Sequence, residues 1–424
     1  MADKYTEVTT TSWGSRLKGA FGGIGTGILL IIAATWLLYW NEGRSVRTGD
    51  AIAEAQLVTE ELPSISSLDG AFDGKLVHAV GKAETTDELT DAMFGIKVNA
   101  IKLRRKVEYY QWVETSQQET RTKLGGGQET VTTYSYHMDW VNNPVDSQSF
   151  KQIEGHENMT RIQAQNEDKY ASNVTFGAYR LPDFLIRSIG GEQPVQVQLT
   201  DEQRSELQRV FFSRNPADLA NTAAVAADNA MENEENPVST ARALGPNTMI
   251  NMQGNYLYIG RNPNTPKVGD VRVSFFEVPS SEISIIAKVK GDTFVPFRAS
   301  NGQNFSKLAM GNQEMAAMFD QAKSENSALT WGLRLIGILI CIAGLRTILA
   351  PLKVLADVIP ILGSIVGAGT GLVSALLGIA WCFVVIAFAW IRFRPVLGFC
   401  LLGAAAVLIV LLFLKGRKAK AVSA

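Results

Sequence analysis

Residues that carry much of protein chemistry are scarce in this chain. It has three cysteines, each within a strongly apolar run: Cys341, Cys382 and Cys400. The 288 residues 41–328 contain none, so a cysteine-built zinc or iron–sulfur site is excluded there and the segment is indifferent to redox compartment. The three histidines are His78, His137 and His156. Sequence patterns of zinc proteases, serine hydrolases and P-loop enzymes are absent, which argues against those classes.

Positive charge is lacking where a nucleic-acid-binding protein would need it. Residues 41–328 carry 28 basic and 38 acidic side chains, a net charge of −10, whereas the two flanks together carry +9. This argues against binding to nucleic acid, which requires a basic surface, and against electrostatic attachment of the segment to anionic lipid. Basic flanks beside apolar runs are typical of the ends of membrane spans.

Apolar runs long enough to cross a bilayer are present at both ends of the chain. Residues 21–40 hold no charge, and twenty helical residues measure about 30 Å. A cleavable signal peptide is the alternative, but the run is too long and no A-x-A-like cleavage site follows. Trp36, Tyr39 and Trp40 cluster at its far end, as interfacial aromatic side chains do. We therefore predict an uncleaved N-terminal anchor.

The last third of the chain is almost continuously apolar. A straight helix over residues 352–391 would measure about 60 Å, twice the thickness of a hydrocarbon core. Pro351, Pro360 and Gly363 interrupt the run. The pattern predicts three further spans and one interfacial or re-entrant segment: spans 331–350, 364–391 and 396–414, and the segment 352–362.

Four spans place both termini on one side of the membrane. The tail 415–424 is strongly basic and is predicted to be cytoplasmic, together with the N-terminal tail 1–20. Residues 41–328 then form an extracytoplasmic domain. The predicted fold class is an α+β membrane protein with four transmembrane helices, one N-terminal and three C-terminal, and a large β-rich extracytoplasmic domain.

Within the domain the dominant pattern is that of β-strands. Residues 100–122 and 129–141 are rich in Val, Tyr, Trp and Thr and are joined by LGGGQ, which predicts a long β-hairpin. We predict helices at 87–94, 201–212 and 306–328 and short strands at 75–80, 256–260, 270–278, 282–290 and 293–298. The Ala- and Asn-rich stretch 216–247 separates two subdomains, 41–215 and 248–328.

Glycines recur at every fourth position in two of the spans. The first span has Gly19, Gly23 and Gly27, and the third has Gly363, Gly367 and Gly371. Small residues at this spacing let helices approach closely. The rows are predicted to pack helices, either within one subunit or between subunits of an oligomer.

Asp357 is the single acidic residue after residue 328. A carboxylate in an apolar run is costly unless it is paired or lies at the interface. Lys353 lies one helical turn before it and Arg346 near the end of the preceding span, so a structural ion pair is predicted. An ion or proton pathway is the alternative. Arg334 and Arg346 are expected to extend their side chains to the interface.

Few residues of the domain indicate chemistry. His137 and Asp139 would share one face of a strand, which is a weak signal for a metal site. The basic run 104–106 in an acidic domain suggests either a salt-bridged strand or a site for an anionic partner. No catalytic, cofactor-binding or metal site is predicted, and no cofactor.

Several longer motifs occur in an order and spacing typical of one family. They are NEGR (41–44), LVHAVG (76–81), IKLRRKVEYYQWVE (101–114), PKVGDVRVSF (266–275), TWGLR (330–334), ADVIPILGSIVGAGTGL (356–372) and RFRPVLG (392–398). On these motifs the chain resembles the LUMA family, also called transmembrane protein 43. The resemblance implies four spans, a large lumenal or periplasmic domain and self-association. It implies no catalytic residues. Animal members lie in the endoplasmic reticulum and inner nuclear membrane, where they associate with emerin and lamins and help organise the envelope.

Short tails without an evident protein-binding module disfavour lamin-type partners. We expect a bacterial member in the inner membrane with a periplasmic domain; the eukaryotic alternative is the endoplasmic reticulum or inner nuclear membrane. The predicted function is a non-enzymatic, self-associating scaffold that organises the membrane or envelope. Its expected partners are further copies of itself, membrane lipids and unidentified envelope proteins. The alternatives are an envelope enzyme acting on lipid, or a small channel or transporter using Asp357.

Overall fold

The computed structural model describes residues 3–212, 249–396 and 399. Its α-helices are α1 (Trp13–Val58), α2 (Asp183–Ile186), α3 (Asp201–Phe212), α4 (Met315–Ala356) and α5 (Pro360–Phe393). The strands of the first half are β1 (Asp3–Thr11), β2 (Glu60–Glu61), β3 (Leu76–Thr85), β4 (Glu88–Asp91), β5 (Ile96–Asn99), β6 (Lys102–Thr122), β7 (Gln128–Val141), β8 (Glu167–Tyr170), β9 (Val174–Phe176), β10 (Tyr179–Arg180) and β11 (Gln193–Pro194). Those of the second half are β12 (Ile250–Gln253), β13 (Tyr256–Ile259), β14 (Val271–Val278), β15 (Ser281–Lys290), β16 (Thr293–Val295), β17 (Phe297–Arg298), β18 (Asn304–Phe305) and β19 (Lys307–Met310).

Three helices, α1, α4 and α5, are long and apolar enough to cross a membrane. They contain the predicted spans 21–40, 331–350 and 364–391. They pack as a bundle around a small core of buried side chains: Ala34, Leu38, Cys341, Cys382, Val385 and Ile386. Most residues of the bundle surface are exposed and apolar, as contact with lipid requires. The predicted fourth span, 396–414, lies almost entirely outside the described residues.

Two of these helices extend well beyond the membrane. Helix α1 has 46 residues and α4 has 42, about 69 Å and 63 Å of helix. Their outer turns carry Ile52 and Phe319, which pack with Leu76 and Ile286 of the domain's strands. The spans therefore enter the domain as continuous helices.

Residues 352–362, predicted as an interfacial or re-entrant piece, comprise the end of one helix, a turn and the start of the next. Helix α4 continues through Pro351 to Ala356, because neighbouring turns hold the helix although proline lacks one hydrogen bond. Extended backbone at Ile359 then breaks the chain, and Pro360 starts α5 in the first-turn position that suits proline. Residues 357–359 form a tight turn between the two helices, called here the α4–α5 turn.

The larger sheet has eight strands and is antiparallel throughout. Its order is β1-β7-β6-β14-β13-β12, with β11 also on β14 and β8 also on β6. The predicted hairpin is confirmed as β6 and β7, which pair from Tyr109 and Val141 to Thr122 and Gln128. Only the first part of β6, up to Tyr109, also pairs with β14. Residues up to Glu114, and Tyr136 on β7, still contact the segment 145–158, so only the distal part of the hairpin projects from the domain.

The first strand changes the interpretation of the N-terminal tail. Residues 3–11, predicted to belong to a cytoplasmic tail, form β1 and pair with β7 over nine positions, from Asp3–Tyr136 to Thr11–Gln128. A bilayer cannot separate two paired strands, so residues 3–11 lie at the same depth as the part of β7 with which they pair. We call residues 3–11, 110–122 and 128–140 the ribbon.

The second sheet has seven strands, and part of it closes on itself. Strands β3, β9, β10, β16 and β15 follow one another, and β15 returns to pair with β3. Inside lie buried apolar side chains such as Val77, Phe176, Ile285 and Phe294. This small closed sheet and the proximal part of the larger sheet form the core of the α+β domain.

Local patterns predicted many of the longer elements, and two predicted helices need correction. The predicted helix 87–94 is a hairpin of β4 and β5, because Gly95 takes a positive φ of 70° at the turn and Leu89 and Asp91 alternate inward. The predicted helix 306–328 starts later, at Met315, since residues 307–310 form β19 against β15. Helix α3 matches its prediction, and the stretch 216–247 lies outside the described residues.

Candidate functional site at the two ends of the helix bundle

A buried carboxylate joins the three long helices where the bundle meets the domain. Glu42 of α1 is 1% exposed. Its Oε1 accepts a hydrogen bond from Arg334 Nε at 2.6 Å and its Oε2 accepts from Arg334 Nη2 at 2.8 Å. The same Oε2 accepts from the indole Nε1 of Trp390 on α5 at 2.8 Å. A two-pronged arginine–carboxylate pair fixes orientation as well as charge.

Aromatic rings cover the cation of this pair. The Arg334 guanidinium lies 4.6 Å from the ring centroid of Trp331 and 5.8 Å from that of Trp390. Trp331 precedes Arg334 by three residues, so both lie on one face of α4. The rings add cation–π attraction and keep water from the ion pair.

Asn41 and Arg44 extend the network toward the domain. Asn41 is fully buried, and its Nδ2 donates to the Thr330 carbonyl at 3.0 Å. Arg44 donates to Asn41 Oδ1, to Thr330 Oγ1 at 2.9 Å and to Asn326 Oδ1 at 3.0 Å. We call Asn41, Glu42, Arg44, Thr330, Arg334 and Trp390 the junction cluster.

The junction cluster explains two motifs that served only for the resemblance. NEGR supplies Asn41, Glu42 and Arg44, and its glycine leaves room for Phe393, whose ring would lie 2.7 Å from an added Cβ. TWGLR supplies the α4 side. The prediction that Arg334 extends to the interface missed its pairing with Glu42. Opposite single charges at the matching ends of two spans were the signal that could have revealed it.

Asp357 is held at the other end of the bundle, in the α4–α5 turn. Its Oδ2 accepts from Arg16 Nη2 at 2.5 Å, with side-chain exposures of 3% and 9%. Arg16 Nη1 also donates to the Gly126 carbonyl at the tip of the β6–β7 hairpin. The Gly125 amide donates to the Val358 carbonyl at 3.0 Å, so the turn, the start of α1 and the hairpin tip are joined. We call this contact the tip clamp.

The partner of Asp357 therefore differs from those named from the sequence. Lys353 and Arg346 are exposed, and the aliphatic part of Lys353 packs beside Gly367. Arg16 is 341 positions from Asp357 in the chain, which no local spacing can reveal. Trp13 Nε1 adds a further bond to the Val354 carbonyl at 2.8 Å.

The glycines of the two rows differ in whether they face a neighbouring helix, a side chain or open space. An added Cβ at Gly27 would lie 2.6 Å from the Gly344 carbonyl, and one at Gly23 would lie 3.2 Å from Thr347 Cγ2, so both glycines face α4. Gly363 and Gly367 face the side chains of Asp357 and Lys353. An added Cβ would meet nothing within 4 Å at Gly19 and at Gly371. Gly337, Gly344 and Gly378, which the row pattern did not select, also lie at close helix contacts.

The domain's other candidates are placed apart. His137 and Asp139 are exposed on β7, and the described residues hold no group of three or more His, Cys, Asp or Glu side chains arranged for a metal ion. The basic run 104–106 is confirmed as a salt-bridged strand. Arg104 pairs with Asp168 and Glu192, Arg105 with Asp91 and Glu167, and Lys106 with Glu108.

Comparison with known proteins agrees with the motif resemblance. The family model described as transmembrane protein 43 matches residues 109–395, more than half of the chain. Transmembrane protein 43 of Rattus norvegicus is 28% identical over 390 residues, covering 90% of this chain and 86% of that protein. The human protein is 27% identical, with 92% and 90% covered, and the Drosophila melanogaster homolog is 26% identical, with 90% and 91% covered. No solved structure matches. The chain belongs to the transmembrane protein 43 family.

Proposed function

We propose that this multi-pass integral membrane protein is a non-enzymatic scaffold that associates with further copies of itself and organises the membrane in which it lies. Its helices support this role, since α1 and α4 pass from the bundle into the domain without a break. The junction cluster and the tip clamp fix the two ends of the bundle to the domain and its hairpin. A rigid connection suits a protein that holds a domain at a set distance from the bilayer.

The observation that carries self-association is the ribbon. It starts in the domain, and its tip contacts residues 13–16 and 354–358 at the far end of the bundle. From Tyr110 to Thr122 it measures about 40 Å, close to the roughly 38 Å of helix between Arg16 and Asn41. The proximal residues of the ribbon contact the domain, and we infer that its distal part, residues 115–122 and their partners on β7 and β1, runs beside the spans at the depth of the bilayer.

Such a ribbon cannot face lipid alone. Residues 115–121 of β6, TSQQETR, are exposed and polar on both faces. Within the described part of the chain, strand β1 pairs on one side only, with β7, so its other edge presents unpaired backbone groups, each costing several kcal/mol in hydrocarbon. A second copy that covers the ribbon would shield both the polar side chains and the unpaired backbone groups from lipid. An open strand edge is also a ready surface for pairing.

Cross-linking of the full-length protein in native membranes tests this proposal. In a background with the three cysteines replaced by alanine, Val8→Cys places a thiol on the ribbon where the side chain is 56% exposed. Leu68→Cys, at a site 53% exposed in the domain, is the matched control. We expect a cross-linked dimer from Val8→Cys and little from Leu68→Cys. A monomeric mass by light scattering together with no cross-link would contradict self-association.

We further propose the inner membrane of a bacterium as the location, with the domain in the periplasm. The basic tail 415–424 supports this orientation. In intact cells an impermeant thiol reagent should label Leu68→Cys and not Ser423→Cys; the reverse pattern would overturn the orientation. The eukaryotic alternative, the endoplasmic reticulum or inner nuclear membrane, would instead show glycan addition at the domain's N-x-S/T sites.

The channel alternative depends on Asp357. Its carboxylate is paired with Arg16 and enclosed by the tip clamp, which favours a role in the fold over conduction. Ion flux in liposomes, compared between the native protein and Asp357→Asn, separates the two. Flux that is lost while the fold stays intact would replace the scaffold with a channel. The enzyme alternative has no matching arrangement of side chains among the residues that the structure describes.

A further inference from the structure

A groove beside the junction cluster has the size of a ligand site. It lies between α4 and α5 and encloses about 510 Å³, within the range of small-molecule sites. Its walls include Leu335, Ile338, Phe383 and Ile386, and Arg334 is the one charged residue among the described residues that line it. The groove is therefore suited to a hydrocarbon chain along most of its length.

A second, polar pocket adjoins the groove at the domain end. It encloses about 370 Å³ and shares Trp331, Arg334 and Trp390 with the groove. Its other lining residues include Lys323 and Arg394, and none of the described lining residues is a carboxylate. The two cavities thus form one space that is apolar toward the middle of the bundle and basic toward the domain.

The charges in this pocket are not equivalent. Arg334 is neutralised by the two-pronged pair with Glu42. Lys323 lies 3.4 Å from Asp320, an exposed pair one helical turn apart, and such pairs bind weakly. Arg394 is exposed, and its side chain lies near no carboxylate partner within the described part of the chain. Two cations therefore remain available for an anion.

The tryptophans indicate the depth at which the pocket lies in the membrane. Trp331 and Trp390 lie between the apolar groove and the basic pocket, and tryptophan side chains favour the level of the lipid headgroups. A phosphate bound by the basic pocket would lie at headgroup depth, with its hydrocarbon chain in the groove. This is the arrangement of a glycerophospholipid standing in its own leaflet.

We propose that the groove and the basic pocket together bind one anionic glycerophospholipid. Its phosphate contacts Arg394 and Lys323, and one acyl chain lies between α4 and α5 against Phe383 and Ile386. Trp331 and Trp390 pack against the glycerol region. Because Thr330, Arg334 and Trp390 of the junction cluster line the pocket, the bound lipid also stabilises the joint between the bundle and the domain.

Thermal unfolding of the full chain in detergent tests the headgroup contact. Dioleoylphosphatidylglycerol should raise the unfolding midpoint at concentrations at which dioleoylphosphatidylcholine, with the same acyl chains, does not. The double variant Lys323→Gln with Arg394→Gln should need roughly tenfold more of the anionic lipid, since hydrogen bonds between charged groups are the strong ones. Arg392→Gln is the matched control, because Arg392 is exposed near the same helix end but does not line the pocket.

A second pair of variants tests the acyl chain. Ala387→Phe would fill the groove, whereas Ala380→Phe would fill another apolar groove, whose described lining residues include no basic side chain. We expect loss of the lipid effect for Ala387→Phe only, with the midpoint in the absence of lipid showing that each variant is folded. Inorganic phosphate and glycerol phosphate are the free-anion arm and should not reproduce the effect.

Three results would overturn the proposal. Equal stabilisation by both lipids would exclude selection of an anionic headgroup. Equal stabilisation by free phosphate would exclude a lipid as the ligand. An unchanged response in the double variant or in Ala387→Phe would show that the lipid acts elsewhere on the protein, or that another part of the chain occupies the groove.

Discussion

Two charged pairs lie at opposite ends of the helix bundle, and each joins helices that are distant in sequence. Glu42 binds Arg334 and Trp390 at the junction with the domain. Asp357 binds Arg16 at the α4–α5 turn. Both pairs are buried. Removing one charge of such a pair leaves the other charge desolvated and unpaired, so each charge depends on its partner for the stability of the fold.

The first prediction concerns Glu42. Glu42→Ala should lower the free energy of unfolding by about 3–5 kcal/mol, because the Arg334 guanidinium would remain buried without its carboxylate. Urea unfolding in detergent micelles, followed by tryptophan fluorescence, measures this. Glu325→Ala is the control, since Glu325 pairs with Lys307 but its side chain is 55% exposed. Similar losses in both variants would show that burial of the pair is unimportant.

The second prediction concerns the partner of Asp357. Asp357→Asn and Arg16→Gln should each lower stability by about 3 kcal/mol, and the double variant should lose little more than either alone, because both remove one interaction. Lys353→Gln should have almost no effect, since Lys353 is exposed. If the effects of Arg16 and Asp357 simply add while Lys353 couples to Asp357, then the pair named from the sequence is the correct one.

At the scale of elements, helix contacts depend on which glycines of a row meet a neighbour. Gly27 meets the backbone of Gly344, but Gly19 meets nothing. The third prediction is that Gly27→Leu lowers stability by about 1–3 kcal/mol through overpacking, whereas Gly19→Leu does not. The unfolding midpoint of both variants in micelles measures this. If Gly19→Leu instead reduces the oligomer size without lowering the unfolding midpoint, Gly19 lies at a contact between copies.

The fourth prediction concerns the strands β6 and β8. A hydrogen bond from Arg104, aided by Lys102, lowers the pKa of Asp168 on β8. A lowered pKa in the folded state stabilises the protein above the unfolded pKa of about 4, and the effect is lost as pH falls through the folded value. Asp168 is one third exposed, so we expect less than about 1 kcal/mol.

Acid unfolding of the native protein and one variant checks the fourth prediction. The stability difference between the native protein and Asp168→Asn should be present at pH 7, should shrink as the pH falls below about 4, and should vanish below the folded-state pKa of Asp168. A difference for Asp168→Asn that stays constant with pH would mean that the side chain's shape matters rather than its charge.

The sequence predicted elements wherever a local pattern sufficed. The long hairpin followed from alternating Val, Tyr and Thr around LGGGQ, and three spans followed from apolar length. The helix predicted at 87–94 failed because Thr85 and Glu88 resemble a helix start, while Gly95 in the left-handed region makes a hairpin instead. Capping signals are weak when a glycine turn competes with them.

The candidate site was harder to predict because its contacts are distant in the chain. Nothing near Asp357 indicates Arg16, and nothing near Glu42 indicates Trp390, which lies 348 positions away. The motifs NEGR and TWGLR could be recognised but their joint role could not. Strand β1 was missed for a similar reason, since a short Thr-rich segment becomes a strand only when β7 is beside it.

At the scale of the whole molecule, the ribbon and the spans require different surroundings, and each requirement is a demand that the other's environment does not meet. The bundle surface is apolar, with Leu29 66% exposed, and requires lipid. The ribbon at the same depth is polar, with exposed Gln117 and Gln118, and requires water or protein. Both demands are met only if the ribbon lies on a face of the molecule that lipid does not reach.

The fifth prediction follows from this asymmetry. In the cysteine-free background, Gln118→Cys in native membranes should react with a water-soluble maleimide, because water enclosed between neighbouring copies reaches the polar side chains of the ribbon. Leu29→Cys, on the bundle surface at the same depth, should stay unreactive until detergent is added, since thiols in hydrocarbon do not ionise. If dilution of the protein in lipid abolishes Gln118→Cys labelling, neighbouring copies create the polar face. If labelling is absent at every protein density, the ribbon does not lie in water and the proposed arrangement of copies around it is wrong.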